Sequence, residues 1–265
     1  MGGRFQGLVA WVTGGGSGLG RALALELAGQ GARVAVSGRR GDRIREVEAE
    51  LNRRGQEGMA IPCDVTDEEQ VKAAVEAVVA RWGRLDIAVA NAGYGVVAPF
   101  LKVGVETWRR QLEVNVVGVV ATLRQAMPEL KKTRGRAVVV SSVMGKLALG
   151  SSAPYSASKH ALVGLCDALY QELQGTGVTI TNILPGLVAT EIAQVDNHGV
   201  FHAQRRDERP KALMWPADRA ARVMARAIHR RPRQFVFTGH GRLGVFLVQH
   251  VPGLVYALLR RVRLG

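Results

Sequence analysis

The chain has 265 residues, 47% of them hydrophobic, a formal net charge of +14 and two cysteines. That size and apolar content suit one α/β domain with a sizeable core. The cysteines, Cys63 and Cys166, stand far apart with no C-x-x-C and no His cluster nearby, which excludes a disulfide framework and a zinc site.

The first apolar run, Leu8–Val12, reads as a strand. Only that run precedes Thr13, too little for a secretory signal, and Gln6 breaks a myristoylation pattern, so the expected location is the cytoplasm. T13-G-G-G-S-G-L-G20 follows as a turn, and Arg21–Ala28 has helical apolar spacing. Glycines permit positive φ and a close approach of backbone to phosphate. A helix N-terminus offers free N–H groups to a pyrophosphate. The glycines stand as T-G-x-x-x-G-x-G, which differs from the G-x-G-x-x-G fingerprint.

Further strand-like runs are 33–37, a segment ending at Cys63, then 85–90, 136–141, 179–184 and 234–238, alternating with helical stretches. Such alternation predicts an α/β fold with a parallel sheet and helices on both faces. No linker, repeat or low-complexity segment interrupts it, so residues 1–265 are expected to form one domain, with a core of about 7–238 and an apolar, basic extension at 239–265.

Tyr155 and Lys159 stand four apart in Y-S-A-S-K, thirteen residues after Ser142. On a helix such a pair shares one face. The ammonium beside the phenol would favour phenolate and pull the Tyr pKa toward working pH. Asn115, inside the otherwise apolar E113-V-N-V-V117, is either a satisfied helix-kink residue or part of a relay, because a buried amide needs partners.

Taken in order, T13-G-x-x-x-G-x-G20, D64-V65, N91-A-G93, Asn115, Ser142, Y155-x-x-x-K159 and P185-G186 with Thr190 resemble the motifs of the short-chain dehydrogenase/reductase family over about residues 7–238. The resemblance implies a single-domain, Rossmann-like doubly wound parallel sheet and nicotinamide cofactor chemistry. It implies that Gly14, Gly16, Ser17, Gly18, Leu19 and Gly20 hold the pyrophosphate, and that Asp64, with Val65, meets the adenine. Asn91, Ala92 and Gly93 would pass beneath the adenosine, and Pro185, Gly186, Val188 and Thr190 would hold the carboxamide end. In the same way Tyr155 would be the general acid and Lys159 would lower its pKa and bind the nicotinamide ribose. Ser142 would polarise the carbonyl, and Asn115 would anchor a water relay.

The cofactor's 2′ position is read from Ser37-Gly38-Arg39-Arg40, where an acidic residue would bind a ribose hydroxyl and Arg accommodates a 2′-phosphate. Arg39 and Arg40 therefore favour NADP(H), the alternative being that they open a helix and face water. Residues 191–206 are expected as a mobile lid; His198 and His202 lack a carboxylate that would complete a metal site, so no metal is expected.

Residues 201–265 carry fourteen Lys/Arg against three Asp/Glu, leaving 22 against 19 for the rest. No nucleic-acid motif accompanies this charge. Leu243–Leu259 is apolar but broken by Gln249, His250 and Pro252, too short for a confident span, and precedes Arg260, Arg261 and Arg263. Val251, Leu254, Val255, Leu258 and Leu259 are expected to cover a substrate cleft or a subunit interface, with peripheral membrane contact as the alternative. The sequence thus points to an NADPH-dependent, homo-oligomeric oxidoreductase of lipophilic ketone/alcohol pairs. Reduction of 3-oxoacyl groups on an acidic carrier protein is the runner-up. A non-catalytic nucleotide-sensing scaffold is the alternative of another class.

Overall fold

The computed structural model describes residues 3–259. Seven strands make one parallel sheet: β1 (Val9–Thr13), β2 (Arg33–Gly38), β3 (Gly58–Pro62), β4 (Ile87–Ala90), β5 (Arg136–Val140), β6 (Thr179–Leu184) and β7 (Gln234–Val236). Their spatial order is β3-β2-β1-β4-β5-β6-β7. The helices are α1 (Gly18–Gly29), α2 (Gly41–Arg53), α3 (Glu68–Trp82), α4 (Val105–Leu112), α5 (Gly118–Thr133), α6 (Ala153–Glu172), α7 (Ala217–Arg230), α8 (Gly239–His250) and α9 (Pro252–Leu259).

Central strands buried on both faces read as continuous apolar runs, and β1 and β4 are buried at every position. Alternate side chains feed two cores. Ala10, Val12, Val34 and Val36 pack with Leu23, Leu27 and Ile44 of α1 and α2 and with Met224 and Ile228 of α7. Val9, Trp11, Ala35 and Ala88 pack on the other face with Val71 and Val75 of α3, Leu123 and Leu130 of α5 and Leu162 of α6. The indole of Trp11 satisfies its buried N–H by donating to Ser37 Oγ at 2.8 Å.

Strand order reverses direction at the β1/β4 boundary, where the crevice beyond the carboxyl ends of an open parallel sheet forms. Its two lips are tied together. Thr13 Oγ1 accepts from the backbone N–H of Asn91 at 3.1 Å and of Ala92 at 3.2 Å, and Asn91 Nδ2 donates back to Thr13 O at 2.9 Å. Gly20, in the first turn of α1, sits so close to this knot that a Cβ there would lie 2.3 Å from Gly14 O and 2.5 Å from Asn91 Nδ2. Gly20→Ala is therefore expected to lower unfolding stability by about 1–3 kcal/mol through overpacking against backbone. A urea melt compared with Gly29→Ala, whose Cβ would meet only Gln56 Nε2 at 3.7 Å, checks it.

Candidate active site

Most motif residues stand at the carboxyl end of a strand or in the turn that follows, and Asn115, Tyr155 and Lys159 stand on helical segments. Thr13 closes β1 and leads into the glycine loop, in which Gly14 (φ 63°) and Gly18 (φ 50°) adopt the left-handed backbone that side chains resist. Ser17, at the N-cap of α1, makes no side-chain cap to its own helix. The first N–H groups of α1 thus face the crevice without a capping oxygen from Ser17, an arrangement suited to an anion. Thr190 lies against this loop, its Cβ 3.2 Å from where a Gly18 Cβ would be. A nicotinamide dinucleotide fits these residues: Gly14 and Gly20 let the loop close down on Asn91 and Ala92, where added Cβ atoms would collide, and Ser17 and Leu19 stand at the uncapped helix start.

On the far side of the crevice, Ser142 follows β5 and Tyr155 and Lys159 lie on α6. Lys159 is buried, and its ammonium donates to Val140 O at 3.1 Å and stands 5.7 Å from the centre of the Tyr155 ring. Burial holds the Lys159 pKa down to about 8, against an ordinary 10.5. The phenol differs from the sequence expectation. Desolvation raises its pKa, and hydrogen bonding from Ser142 and the positive charge of Arg209 only partly oppose that. Within the protein alone, Tyr155 is a neutral phenol poised to donate, and the i, i+4 ammonium does not make it a phenolate.

Asn115 sits in a wide helical turn, Glu113–Val117, that joins α4 to α5. Its amide is fully engaged: Nδ2 donates to Tyr94 O at 2.9 Å and Ser158 Oγ at 3.1 Å, and Oδ1 accepts from Tyr94 N–H at 3.1 Å. The kink-residue role is thus visible in the geometry. The side chain also lies near Lys159, since a Cβ on Gly93 would be 3.0 Å from Asn115 Oδ1 and 3.8 Å from Lys159 Nζ. Pro185 and Gly186 follow β6, and Gly186 has no room for a side chain beside Thr238 and His240. Val188, buried, is bridged to Trp215. Asp64 accepts from the N–H and hydroxyl of Thr66, shaping the turn ahead of α3, while Val65 packs against Gly118.

The arginines after β2 reach the glycine loop by a route the sequence did not announce. Arg40 donates to Ser17 Oγ at 2.9 Å and to Glu191 at 3.2 Å, and its guanidinium lies 4.7 Å from the centre of the Phe201 ring. Arg43 also binds Glu191, at 3.2 Å, and Arg39 donates to Gly199 O at 3.1 Å. Residues 191–206, expected as a lid, are therefore strapped across the crevice from the carboxamide end to the β2 end. Arg43 and Glu191 went unnoticed in the sequence because each is an ordinary surface-type residue whose partner lies far along the chain, and Arg209 because its contact to Thr190 O depends on how the intervening segment folds back. Arg209 is held by Asp207 at 2.7 Å and donates to Thr190 O.

Among the described residues no His/Cys/Asp/Glu group could hold a metal, and His202 pairs with Asp196 at 2.7 Å instead. Burial pushes the thiol pKa of Cys63 up to about 11 and that of Cys166 up to about 12, so neither is a ready thiolate.

Residues 8–200 match the family model for short chain dehydrogenases, and the chain belongs to that family. It is 38% identical, over 70% of its length and 70% of the relative's, to a putative ketoacyl reductase of the granaticin polyketide synthase of Streptomyces violaceoruber. It superposes on a short-chain dehydrogenase/reductase from Burkholderia phymatum in complex with NAD with a TM-score of 0.86 at 26% identity, covering 95% and 96% of the two chains. A second structure, from Burkholderia cenocepacia J2315 in complex with NADP, gives 0.79 at 28% identity over 90% and 99%. The protein is an oxidoreductase of the short-chain dehydrogenase/reductase family, whose members use a nicotinamide cofactor.

A buried ammonium has a measurable consequence. At pH 7 both folded and unfolded chains hold the Lys159 proton, and the folded chain carries the full penalty of burying it. As pH rises through 8 the folded protein sheds the proton first, and the penalty fades toward 10.5. Lys159→Met should therefore be more stable than the parent at pH 7, by on the order of 3 kcal/mol less the lost bond to Val140 O. The gap should shrink by pH 10, as urea melts at the two pH values would record.

Proposed function

We propose that the protein is an NADPH-dependent reductase of lipophilic carbonyl compounds. The observation that carries this is the meeting of Ser142, Tyr155 and Lys159 at one end of the crevice with an arginine cluster at the other. When bound, the cofactor supplies a hydride to the carbonyl carbon. Charge then develops on the carbonyl oxygen, and that oxygen is where the chain's residues act. Ser142 Oγ, fixed by the N–H of Met144 at 3.1 Å, orients and polarises the oxygen. Tyr155 donates its proton there, for which a raised pKa keeps it loaded through neutral pH. Lys159 holds the ribose side and compensates the phenolate once the proton has left.

Arg39, Arg40 and Arg43 support the NADPH preference: Gly38 stands where an acidic residue would bind a ribose hydroxyl, and three guanidinia lie within reach of Ser17 and the lid. The lipophilic substrate is supported by the rim. Ala98 N–H bonds Ser151 O at 2.7 Å and Asn197 pairs with the backbone of Val97, so three loops meet around the Ser142 side of the crevice. Val97, Phe100, Leu101 and Val200 are exposed on these loops. A second reading, reduction of 3-oxoacyl groups on an acidic carrier protein, draws support from the ketoacyl reductase likeness and the basic C-terminal quarter. Such docking would weaken steeply with salt.

On a panel of long-chain ketones followed by NADPH absorbance, Tyr155→Phe should keep fold and cofactor affinity while losing about 10²-fold or more of turnover. Near-parental turnover in that variant would remove Tyr155 as the acid.

For cofactor choice, NADPH should bind roughly tenfold or more tightly than NADH, since a charge-assisted bond to phosphate contributes about 1.5–3 kcal/mol. Arg39→Ala should shrink that ratio. Glu191→Gln should tighten NADPH and leave NADH unchanged, because the carboxylate competes for Arg40 and Arg43. Fluorescence titrations of both cofactors decide these outcomes, and equal affinities in the parent would end the NADPH reading.

A further inference from the structure

The C-terminal helices leave an apolar surface that nothing among the described residues covers. α8 anchors itself through Gly241, Val245 and Val248, and turns Leu243 and Phe246 outward, 59% and 56% exposed. α9 buries none of its residues, with Leu254 62% and Leu258 55% exposed. Val251, Leu254, Val255, Leu258 and Leu259, expected to cover a substrate cleft or a subunit interface, are not buried against the described residues.

The two helices meet at a 119° bend, and among the described residues no single helix is long and apolar enough to cross a membrane. Helices of 12 and 8 residues reach about 18 and 12 Å, against a hydrocarbon core of about 30 Å. Together the bent pair has the length and composition of a broken span; lying in the plane of the interface asks less, since neither helix then has to cross the hydrocarbon core.

Charge selects the occupant. Residues 239–265 contain four arginines, two histidines and no Asp or Glu. A second copy in two-fold pairing would set this like-charged segment against itself, with no acidic residue on it to compensate. An acidic carrier protein would answer the arginines but leave the outward apolar side chains without a partner. An anionic lipid surface answers both, with acyl chains for Leu243, Phe246, Leu254 and Leu258 and headgroup phosphates for the arginines.

The placement of α8 adds a reason. Gly241 and Gly244 lie against Val143 and Leu147, in the loop that begins at Ser142, and His240 Nε2 accepts from Leu187 N–H at 3.1 Å, next to Pro185-Gly186. A surface seated on α8 and α9 would adjoin the substrate side of the crevice. We propose that α8 and α9, with the arginines that follow them, dock the protein onto an anionic bilayer. This goes beyond the proposed reaction and does not depend on the cofactor chosen.

Full-length protein sedimented with vesicles of phosphatidylcholine containing phosphatidylserine tests the proposal. Binding is expected to these vesicles, to be weak on phosphatidylcholine alone, and to fall in high salt. Replacing Arg260, Arg261 and Arg263 together by Ala should weaken it about a hundredfold, at roughly fivefold per arginine near an anionic surface. Leu254→Asp with Leu258→Asp should abolish it while leaving the thermal midpoint and the solution mass unchanged. No binding by the parent, or equal binding to neutral and anionic vesicles, would overturn the proposal whatever the variants do. Full binding by the Asp variant would also overturn it, as would a drop in its solution mass, which would assign the surface to a second copy.

Discussion

Everything at this site hangs on the knot between the ends of β1 and β4. Parallel strands leave their carboxyl ends on one edge, and a crevice opens only where the helices diverge to opposite faces, between β1 and β4. There Thr13 and Asn91 exchange hydrogen bonds across the gap, and Gly20 brings α1 down onto them without a side chain in the way. The glycine loop is thereby held in place ahead of α1, whose first N–H groups Ser17 leaves without a side-chain cap. Preorganised donors of that kind stabilise an anion without reorganising when it arrives.

The catalytic end is built by the opposite tactic, since it keeps polar groups where folding would exclude them. Lys159 is buried with a depressed pKa, and Asn115 is fully buried inside a widened helical turn. The amide is satisfied by Tyr94 and Ser158, so it rigidifies the junction of α4 and α5 at little net expense. The ammonium has one backbone carbonyl and a distant ring face, so its charge is held under strain. A group kept destabilised in this way interacts strongly with whatever restores its hydrogen bonds, and a ribose hydroxyl is of the right kind.

Charge also ties the segment after Thr190 to the site. Glu191 gathers Arg40 and Arg43 and so straps the segment after Thr190 to the glycine loop, linking the two ends of the cofactor site through one carboxylate. These pairs are part-exposed, which keeps each of them weak and exchangeable. Farther along the chain, residues 239–265 hold four arginines and no acidic residue.

The sequence by itself determined the sheet, the glycine loop and the candidate reacting side chains, because each is encoded locally. Apolar runs of strand length located six strands to within two or three residues. β3, whose residues are part-exposed at an edge, has no such run and was signalled only through Cys63 at its end. Tyr155 and Lys159 were legible because i, i+4 spacing is a property of one helix. Their protonation was not, since desolvation depends on what the fold packs around them, and it outweighs the neighbouring charge that sequence spacing emphasises. Arg43, Glu191 and Arg209 were equally invisible, as the ion pairs that place Arg43 and Glu191 join residues 148 positions apart. The apolar tail was plain in the sequence, but its exposure was decided by packing: α8 spends its small residues on the Ser142 loop, and the bend at Pro252 turns α9 away from the body.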